Sequence, residues 1–166
     1  MKVKGIVLKV GDNINTDLII PGPYLATKDI DQKAMHVLET VIPDFANKVK
    51  KGDIIVAGKN FGGGSSREIA PLLLKHLGVS TIVAESFARI FFRNAINIGL
   101  PAIECKDIAG KVENGQMLEI DLAEGRIKNL SKNEEYQSTK MPIFLLEIIV
   151  AGGALELLKK RKLGKV

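Results

Sequence analysis

The chain has 166 residues, of which 46 % are apolar and 26 % are charged, and this balance is typical of a soluble globular protein with one core. The single cysteine, Cys105, excludes an internal disulfide and predicts a reducing, cytoplasmic location. It also excludes an iron–sulfur or zinc site held by several cysteines of this chain alone. Because Met1 is not followed by an apolar signal segment and no apolar run could span a bilayer, we expect no membrane contact.

The formal net charge is +5, and part of it comes from the basic residues at 159–162 and Lys165. Cations at the C-terminal end of a helix interact favourably with the helix dipole, so we interpret this tail as a solvated helix end. Aromatic residues make up only 5 % of the chain and do not alternate with the basic residues. The composition therefore predicts no nucleic-acid partner.

In chain order, the first predicted elements are a strand at residues 3–10, a polar turn at 11–17 and a short helix within 31–39. The middle of the chain then alternates between short apolar runs and helical patterns. We predict strands at 53–57, 81–84 and 102–104, with helices at 69–76 and 87–97 between them. This strand–helix–strand–helix–strand unit predicts an α/β fold with a parallel sheet and right-handed crossovers.

The last third of the chain has a different pattern. Residues 117–122 and 126–130 predict an added β-hairpin that packs on the first strand. Residues 143–151 and 155–160 predict two C-terminal helices separated by two glycines. With no repeat and no linker, we expect a single domain over residues 1–166.

The segment Asn-Phe-Gly-Gly-Gly-Ser-Ser-Arg-Glu at residues 60–68 lies between a predicted strand and a predicted helix. Its three glycines, Gly62, Gly63 and Gly64, permit positive φ angles and leave backbone N–H groups uncovered. Such a turn before a helix favours an anion, and the guanidinium of Arg67 suits a carboxylate or a phosphate. The phosphate-binding and dinucleotide-binding glycine motifs are both absent here.

A purely structural interpretation of the same segment stays open on the pattern alone. Ser65 and Glu68 have the spacing of a capping box, in which the serine caps the helix and the glutamate reaches back to it. In the same way, Ser86 is placed to cap the helix that follows. Pro71 would either kink the first of these helices or begin it.

Residues 58–68 resemble the signature of the small subunits of 3-isopropylmalate dehydratases, which are similar to the mobile fourth domain of aconitase. Three further segments agree in the same order: residues 11–17 with Ile20 and Pro21, residues 84–101, and residues 147–153. The resemblance covers nearly the whole chain. It implies an α/β fold of the swivelling β/β/α type, as in the mobile domain of aconitase, with the added hairpin and the C-terminal helices predicted above.

The resemblance also implies an activity. Members of this family are hydro-lyases that isomerise 2-isopropylmalate to 3-isopropylmalate by dehydration and rehydration in leucine biosynthesis, and citramalate in isoleucine biosynthesis is a further candidate substrate. The chain would be active only with a large subunit that carries a [4Fe–4S] cluster, so we expect no metal and no cofactor on this chain. It would supply a proton acceptor and cations, while the cluster would hold the departing hydroxyl group.

The resemblance assigns roles to individual residues. Ser65 matches the catalytic serine, which acts as an alkoxide base, and Arg67 matches the arginine that binds a substrate carboxylate. Ser66 and Gly64 complete the predicted substrate-binding set with Arg67. Asp17 matches an acidic position whose expected role is to orient the loop that contains Ser65 by hydrogen bonding. The spacing of Asp17 fits a simple turn aspartate equally well.

Two positions depart from the pattern of many relatives. Gly63 stands where many of them have a cysteine, which the proposed chemistry does not require. Tyr24, Leu25, Ala26 and Thr27 occupy the position of the substrate-discriminating loop, where relatives that act on citrate or homocitrate carry an arginine. Ala26 cannot pair a third carboxylate, and an unpaired buried charge costs several kcal/mol, so this loop favours isopropylmalate.

Two alternatives remain. The chain could be the small subunit of a homoaconitase if Arg89 and Arg93 met the third carboxylate, but we interpret these two arginines as structural because they share one face of a predicted helix. It could also be a standalone module that binds an anion on the glycine loop and catalyses nothing.

Overall fold

A mixed β-sheet organises the molecule in this computed structural model, which describes residues 1–164. Its strands are β1 (Lys2–Lys9), β2 (Ile54–Ala57), β3 (Thr81–Ala84), β4 (Ala102–Glu104), β5 (Met117–Asp121), β6 (Arg126–Asn129) and β7 (Glu134–Gln137). The spatial order is β4-β3-β2-β1-β5-β6-β7. The helices are α1 (Thr16–Ile19), α2 (Ile30–Ala34), α3 (Phe45–Lys48), α4 (Ile69–His76), α5 (Arg89–Asn97), α6 (Ile108–Lys111), α7 (Ile143–Ala151) and α8 (Ala154–Lys162), with a 3-10 helix at Gly22–Ala26.

Strands β1 to β4 form the parallel half of the sheet. The sequence predicted the parallel arrangement of β2, β3 and β4, and β1 adds a fourth parallel strand. Ile54 of β2 lies opposite Val7 of β1 on one side and Thr81 of β3 on the other. Every residue of β2 and β3 is buried, which explains why both strands read as continuous apolar runs rather than alternating ones. Helices α4 and α5 make the crossovers, so the loops that precede them lie at the carboxyl ends of β2 and β3.

The other half of the sheet is antiparallel. Strand β5 pairs with β1, with Leu118 opposite Gly5, and β6 then pairs with β5, which confirms the predicted hairpin and its packing on the first strand. The third antiparallel strand, β7, was not predicted. Three of its four residues are exposed and two are glutamates, so the strand lacks the apolar alternation by which a strand is recognised.

Two apolar cores lie on opposite faces of the sheet. Strand β2 contributes to both, because Ile55 and Ala57 pack with α4 and α5 on one face, whereas Ile54 and Val56 pack on the other. The first core also contains Phe61 and Phe91, which place the glycine loop directly against α5. The position of the loop is therefore fixed by the main core of the molecule.

Several predicted helix boundaries are wrong. The first predicted helix corresponds to α2, which is shorter than predicted. It begins after Asp29, whose carboxylate accepts the N–H groups of Asp31 and Gln32. The capping box is also wrong, since α4 begins at Ile69 and no side chain caps it. Pro71 is its third residue, where a missing N–H leaves no intrahelical bond unmade, so the helix neither kinks nor starts there.

Helix α5 begins at Arg89 after Ala88 and has no side-chain cap, so the predicted capping by Ser86 is wrong as well. The Ser86 hydroxyl instead accepts the backbone N–H of Asn60 at 2.9 Å, which ties the glycine loop to the end of β3.

The basic C-terminal residues lie on α8, where Lys159 pairs with Glu156 and Arg161 pairs with Glu147 of α7. Lys165 lies outside the described residues. Within residues 1–164, no helix has both the length and the apolar character needed to cross a bilayer.

Candidate active site

Two loops that are distant in sequence form one hydrogen-bonded unit. The loop at residues 11–17 runs alongside the glycine loop at residues 58–68, and main-chain bonds join the two at regular intervals. These bonds are Asn13 N to Lys59 O at 2.8 Å, Gly62 N to Ile14 O at 2.7 Å and Thr16 N to Gly63 O at 2.8 Å. The buried Thr16 hydroxyl then donates to the carbonyl oxygen of Ser65 at 2.9 Å, so the backbone of Ser65 is held from the opposite loop.

Gly62 is the position at which the loop most clearly requires a glycine. Its φ is 79°, a conformation that side chains with a Cβ rarely adopt. A Cβ placed on it would lie 2.1 Å from Cγ of Phe91, so the backbone touches the aromatic ring directly. This contact presses the turn against α5, and Gly62 together with residues 64–67 lines the cavity described below.

The backbone after the turn presents its N–H groups without partners. From Gly63 to Ile69, none of these groups donates to a main-chain carbonyl within residues 1–164. Because α4 begins at Ile69, the positive end of its dipole adds to the same region. A run of free N–H groups at a helix start is a favourable environment for an anion.

Arg67 is held in a defined orientation by the neighbouring loop. Its Nη1 donates to the carbonyl oxygen of Ile20 at 2.8 Å and lies 3.4 Å from that of Thr16, while its Nη2 forms an ion pair with Asp17. The Arg67 side chain is only 15 % exposed. Asp17 therefore contacts the glycine loop through the guanidinium of Arg67, and not through Ser65 itself.

A cavity of about 420 Å³ lies between the glycine loop and the N-terminal end of α5. Its lining is cationic and contains three arginines and no carboxylate. The lining residues are Thr16, Gly62, Gly64, Ser65, Ser66, Arg67, Ala88, Arg89, Ile90, Phe91, Arg93 and Asn94. The cavity thus brings together four of the predicted site residues, Gly64, Ser65, Ser66 and Arg67. Asp17 does not line the cavity, but it is paired with Arg67, which does.

Arg89 and Arg93 are exposed, and within residues 1–164 neither of them takes part in a salt bridge. No ion pair within the described residues therefore supports the interpretation of these arginines as structural. The N–H groups of Arg89, Ile90 and Phe91 donate to no main-chain carbonyl of the described chain, and the first bond of the helix runs from Phe92 N to Ala88 O at 3.0 Å. The start of α5 adds a second positive helix end to the cavity.

Residues 5–108 match the family model of the aconitase C-terminal domain. The chain is 60 % identical over 159 residues to a 3-isopropylmalate dehydratase small subunit from Halothermothrix orenii, with 96 % of each chain covered. The chain belongs to the family of 3-isopropylmalate dehydratase small subunits. The resemblance carried by the glycine loop and the three further segments is thereby confirmed.

Two matches from one archaeon extend this result. An isopropylmalate/citramalate isomerase small subunit from Methanocaldococcus jannaschii is 54 % identical over 159 residues, which cover 96 % of this chain and 95 % of the relative. A crystal structure of 3-isopropylmalate dehydratase (leuD) from the same organism superposes with a TM-score of 0.91 at 45 % identity, covering 98 % of this chain and 96 % of the other. The fold of the small-subunit family is therefore the fold of this chain.

The predicted substrate-discriminating loop, residues 24–27, does not line the cavity. Tyr24 and Ala26 lie in the 3-10 helix at Gly22–Ala26, and Ala26 is exposed. The Tyr24 ring stacks on His36, with ring centroids 3.4 Å apart and planes within 5°. Desolvation and the negative charge of Glu39 raise the pKa of the Tyr24 hydroxyl.

Cys105, the only cysteine of the sequence, does not line the cavity. Cys105 is buried at the end of β4, with its Sγ 3.5 Å from the carbonyl oxygen of Gln137. Burial raises the pKa of the Cys105 thiol, which disfavours the thiolate that a metal would need. Within residues 1–164, no group of three or more histidine, cysteine or acidic residues is placed to hold a metal ion.

Sequence reasoning missed five lining residues, Thr16, Ala88, Ile90, Phe91 and Asn94. The available signal for Thr16 was a polar residue inside the Asn-Thr-Asp turn that the resemblance had already singled out. Ile90 and Asn94 are spaced four residues apart on α5, as are Arg89 and Arg93, so both pairs follow the helix face that the cavity uses. Nothing in the sequence indicated that this face meets the glycine loop.

Proposed function

We propose that this chain is the small subunit of a hydro-lyase that interconverts 2-isopropylmalate and 3-isopropylmalate by dehydration and rehydration in leucine biosynthesis. The observation that carries the proposal is the cavity itself, which has three arginines, no carboxylate and a hydroxyl from Ser65. A cationic cavity of this kind suits a small molecule with several carboxylates. The names of the relatives supply the identity of that molecule, and the isomerase from M. jannaschii adds citramalate as a second substrate.

In this proposal Ser65 accepts the proton from the carbon atom next to a substrate carboxylate. Negative charge then builds up on that carboxylate, where Arg67 donates to it. A serine hydroxyl is a weak base unless its anion is stabilised. The free N–H groups from Gly63 to Ile69 and the arginines of the cavity favour the alkoxide, because all of them place positive charge near Ser65.

Asp17 has a positioning role in the same scheme. Its carboxylate forms an ion pair with the Arg67 guanidinium, and the carbonyl oxygen of Ile20 accepts a hydrogen bond from it. The guanidinium is therefore oriented before substrate binds. Such preorganisation avoids an entropic cost in the transition state. Ser66 and Gly64 lie beside Ser65 and would bind the same carboxylate through their backbone N–H groups.

We further propose that a large subunit completes the site. The residues of this chain do not fit an iron–sulfur cluster, since Cys105 is buried away from the cavity and no ligand group is present in residues 1–164. We therefore assign the [4Fe–4S] cluster of the family to the large subunit, where it would bind the departing hydroxyl as a Lewis acid. Ser65 and Ser66 are exposed, so a partner surface is needed to exclude water during the reaction. We expect the complex to work in the cytoplasm.

The alternative within the same reaction class is a homoaconitase small subunit. We keep isopropylmalate as the preferred substrate because the relatives that match nearly the whole chain are named 3-isopropylmalate dehydratase small subunits. The alternative from another class is a standalone anion-binding module, which the free N–H groups of the glycine loop would serve equally well. Tight binding of a dicarboxylate to the isolated chain, with no partner, would favour that module.

The test is reconstitution with the cognate large subunit under anaerobic conditions, with each subunit alone as the control. Formation of the unsaturated intermediate would be followed with isopropylmalate, citramalate, homocitrate and citrate. We expect turnover with the first two substrates, and only when both subunits are present. Turnover of homocitrate would overturn the assigned specificity, and no turnover of any substrate by an assembled complex with an intact cluster would overturn the proposed activity.

A further inference from the structure

We propose that Arg89 and Arg93 form the binding site for the second carboxylate of the substrate, opposite Arg67, and thereby set its affinity. This inference rests on the proposed function. It assigns to α5 a part in substrate recognition that the glycine-loop motif alone does not indicate.

The donors of Arg67 are largely committed to the protein itself. A guanidinium has five N–H donors in a fixed fork. Nη1 of Arg67 already donates to Ile20 O at 2.8 Å, and its Nη2 is paired with Asp17. The remaining donors suffice for one carboxylate. A hydroxy-diacid brings two, and Arg89 and Arg93 are the other cations in the lining of the same cavity.

Arg89 and Arg93 are cations on the cavity wall, and neither forms a salt bridge with any residue from 1 to 164. They are four residues apart on α5, so both side chains extend from one face of the helix. Both line the cavity that contains Ser65. Two like charges with this spacing destabilise a helix, and α5 carries no acidic residue that would offset them. A carboxylate bound between the two guanidinium groups would remove this repulsion.

A carboxylate of the protein, Glu104, shares a second, largely apolar groove with Arg89 and Arg93, together with Phe92 and Pro142. Its Oε1, however, accepts the backbone N–H of Phe87 at 3.3 Å, and it pairs with neither arginine. The two guanidinium groups thus stand between the cavity and the groove with their donors available to a ligand. The unpartnered N–H groups at the start of α5 strengthen the positive potential at the same place.

The experiment uses the reconstituted complex with Arg89→Gln and Arg93→Gln, each alone and combined. We expect KM for isopropylmalate to rise about tenfold to hundredfold for each single variant, as for the loss of a hydrogen bond to a charged group, with kcat changed much less. Arg93→Lys should recover part of the affinity, because it restores the charge without the fork. Arg126→Gln is the matched control, since Arg126 is an exposed arginine on β6 that pairs with Glu135, and its KM should equal that of the wild type.

Calorimetric titration of the assembled complex with isopropylmalate gives a second readout that does not depend on turnover. We expect both glutamine variants to weaken binding by the same factors as their KM values. If the wild-type complex binds isopropylmalate without turning it over, the proposed reaction fails while this inference can still hold. Unchanged binding and KM in the double variant would overturn the inference, as would a loss confined to the affinity between the two subunits, which would make α5 a subunit interface.

Discussion

Asp17 and Arg67 form an ion pair that joins the first turn of α1 to the glycine loop. The arginine is mostly buried, whereas the aspartate is 57 % exposed. The carbonyl oxygen of Ile20 binds the same guanidinium from the end of that helix. The short helix α1 thus orients the guanidinium of Arg67 in the glycine loop.

Replacing Asp17 by asparagine should lower kcat/KM by about tenfold to hundredfold while leaving the protein folded. The neutral side chain keeps its shape but no longer fixes the guanidinium of Arg67. Because Asp17 is mostly exposed, the pair should contribute less than about 1 kcal/mol to the free energy of unfolding. Activity of the reconstituted complex and thermal unfolding check this. Glu156→Gln breaks the exposed pair with Lys159 and should leave activity unchanged. An Asp17→Asn complex with full activity would contradict the positioning role.

Thr16→Val should lower both stability and activity. Thr16 is buried, and its hydroxyl donates to the carbonyl oxygen of Ser65 at 2.9 Å. Loss of this bond should cost about 1 kcal/mol and release the backbone of Ser65, so kcat should fall more than KM rises. Ser80→Ala is the control, because its hydroxyl donates to Gly52 O at 2.7 Å, far from the cavity lining. Equal losses of activity in the two variants would show that Thr16 has no specific role.

Gly62→Ala should destabilise the chain strongly. The new Cβ would lie 2.1 Å from Cγ of Phe91, and the residue would keep a φ of 79° that alanine disfavours. Overpacking and backbone strain together should cost about 2–4 kcal/mol in the free energy of unfolding, measured by denaturant titration. Gly110→Ala is the matched control. Gly110 lies in α6, where an added Cβ would meet no heavy atom within 4 Å, so the substitution should be neutral or slightly stabilising.

Ala26→Arg tests the assignment of the substrate-discriminating turn. If the turn faces the substrate in the complex, the new guanidinium should pair a third carboxylate, so activity should shift from isopropylmalate toward homocitrate. The substrate panel described above measures this shift. An unchanged profile would overturn the assignment of this turn as substrate-discriminating and would leave specificity to α5 or the large subunit.

The parallel half of the sheet was predictable because its strands are buried on both faces and are separated by helices with clear patterns. Strand β7 was not, since it is an exposed edge strand whose residues carry no apolar alternation. The start of α4 was also misplaced. Ser65 has the sequence spacing of a cap, but the bond from Thr16 to its carbonyl oxygen holds it in the loop, a contact between residues that are distant in sequence.

The candidate site likewise has one part that was predictable from the sequence and one part that was not. Gly64, Ser65, Ser66 and Arg67 are contiguous, so one motif was enough to find them. Arg89 and Arg93 enter the cavity only because the ring of Phe91 packs on Gly62 and brings α5 to the glycine loop. That packing depends on the tertiary structure and leaves no local signal in the sequence.

The most direct test of the proposed role of this chain is the turnover of isopropylmalate by a reconstituted complex that carries Ser65→Ala. Since the Ser65 backbone is held through its carbonyl oxygen, the variant should fold and assemble like the wild type. Removing the proton acceptor should lower kcat by about 10² to 10⁴-fold, with an intact cluster and unchanged subunit affinity as the required controls. A variant complex that turns over isopropylmalate at the wild-type rate would show that Ser65 is not the base and would contradict the central claim that this chain supplies it.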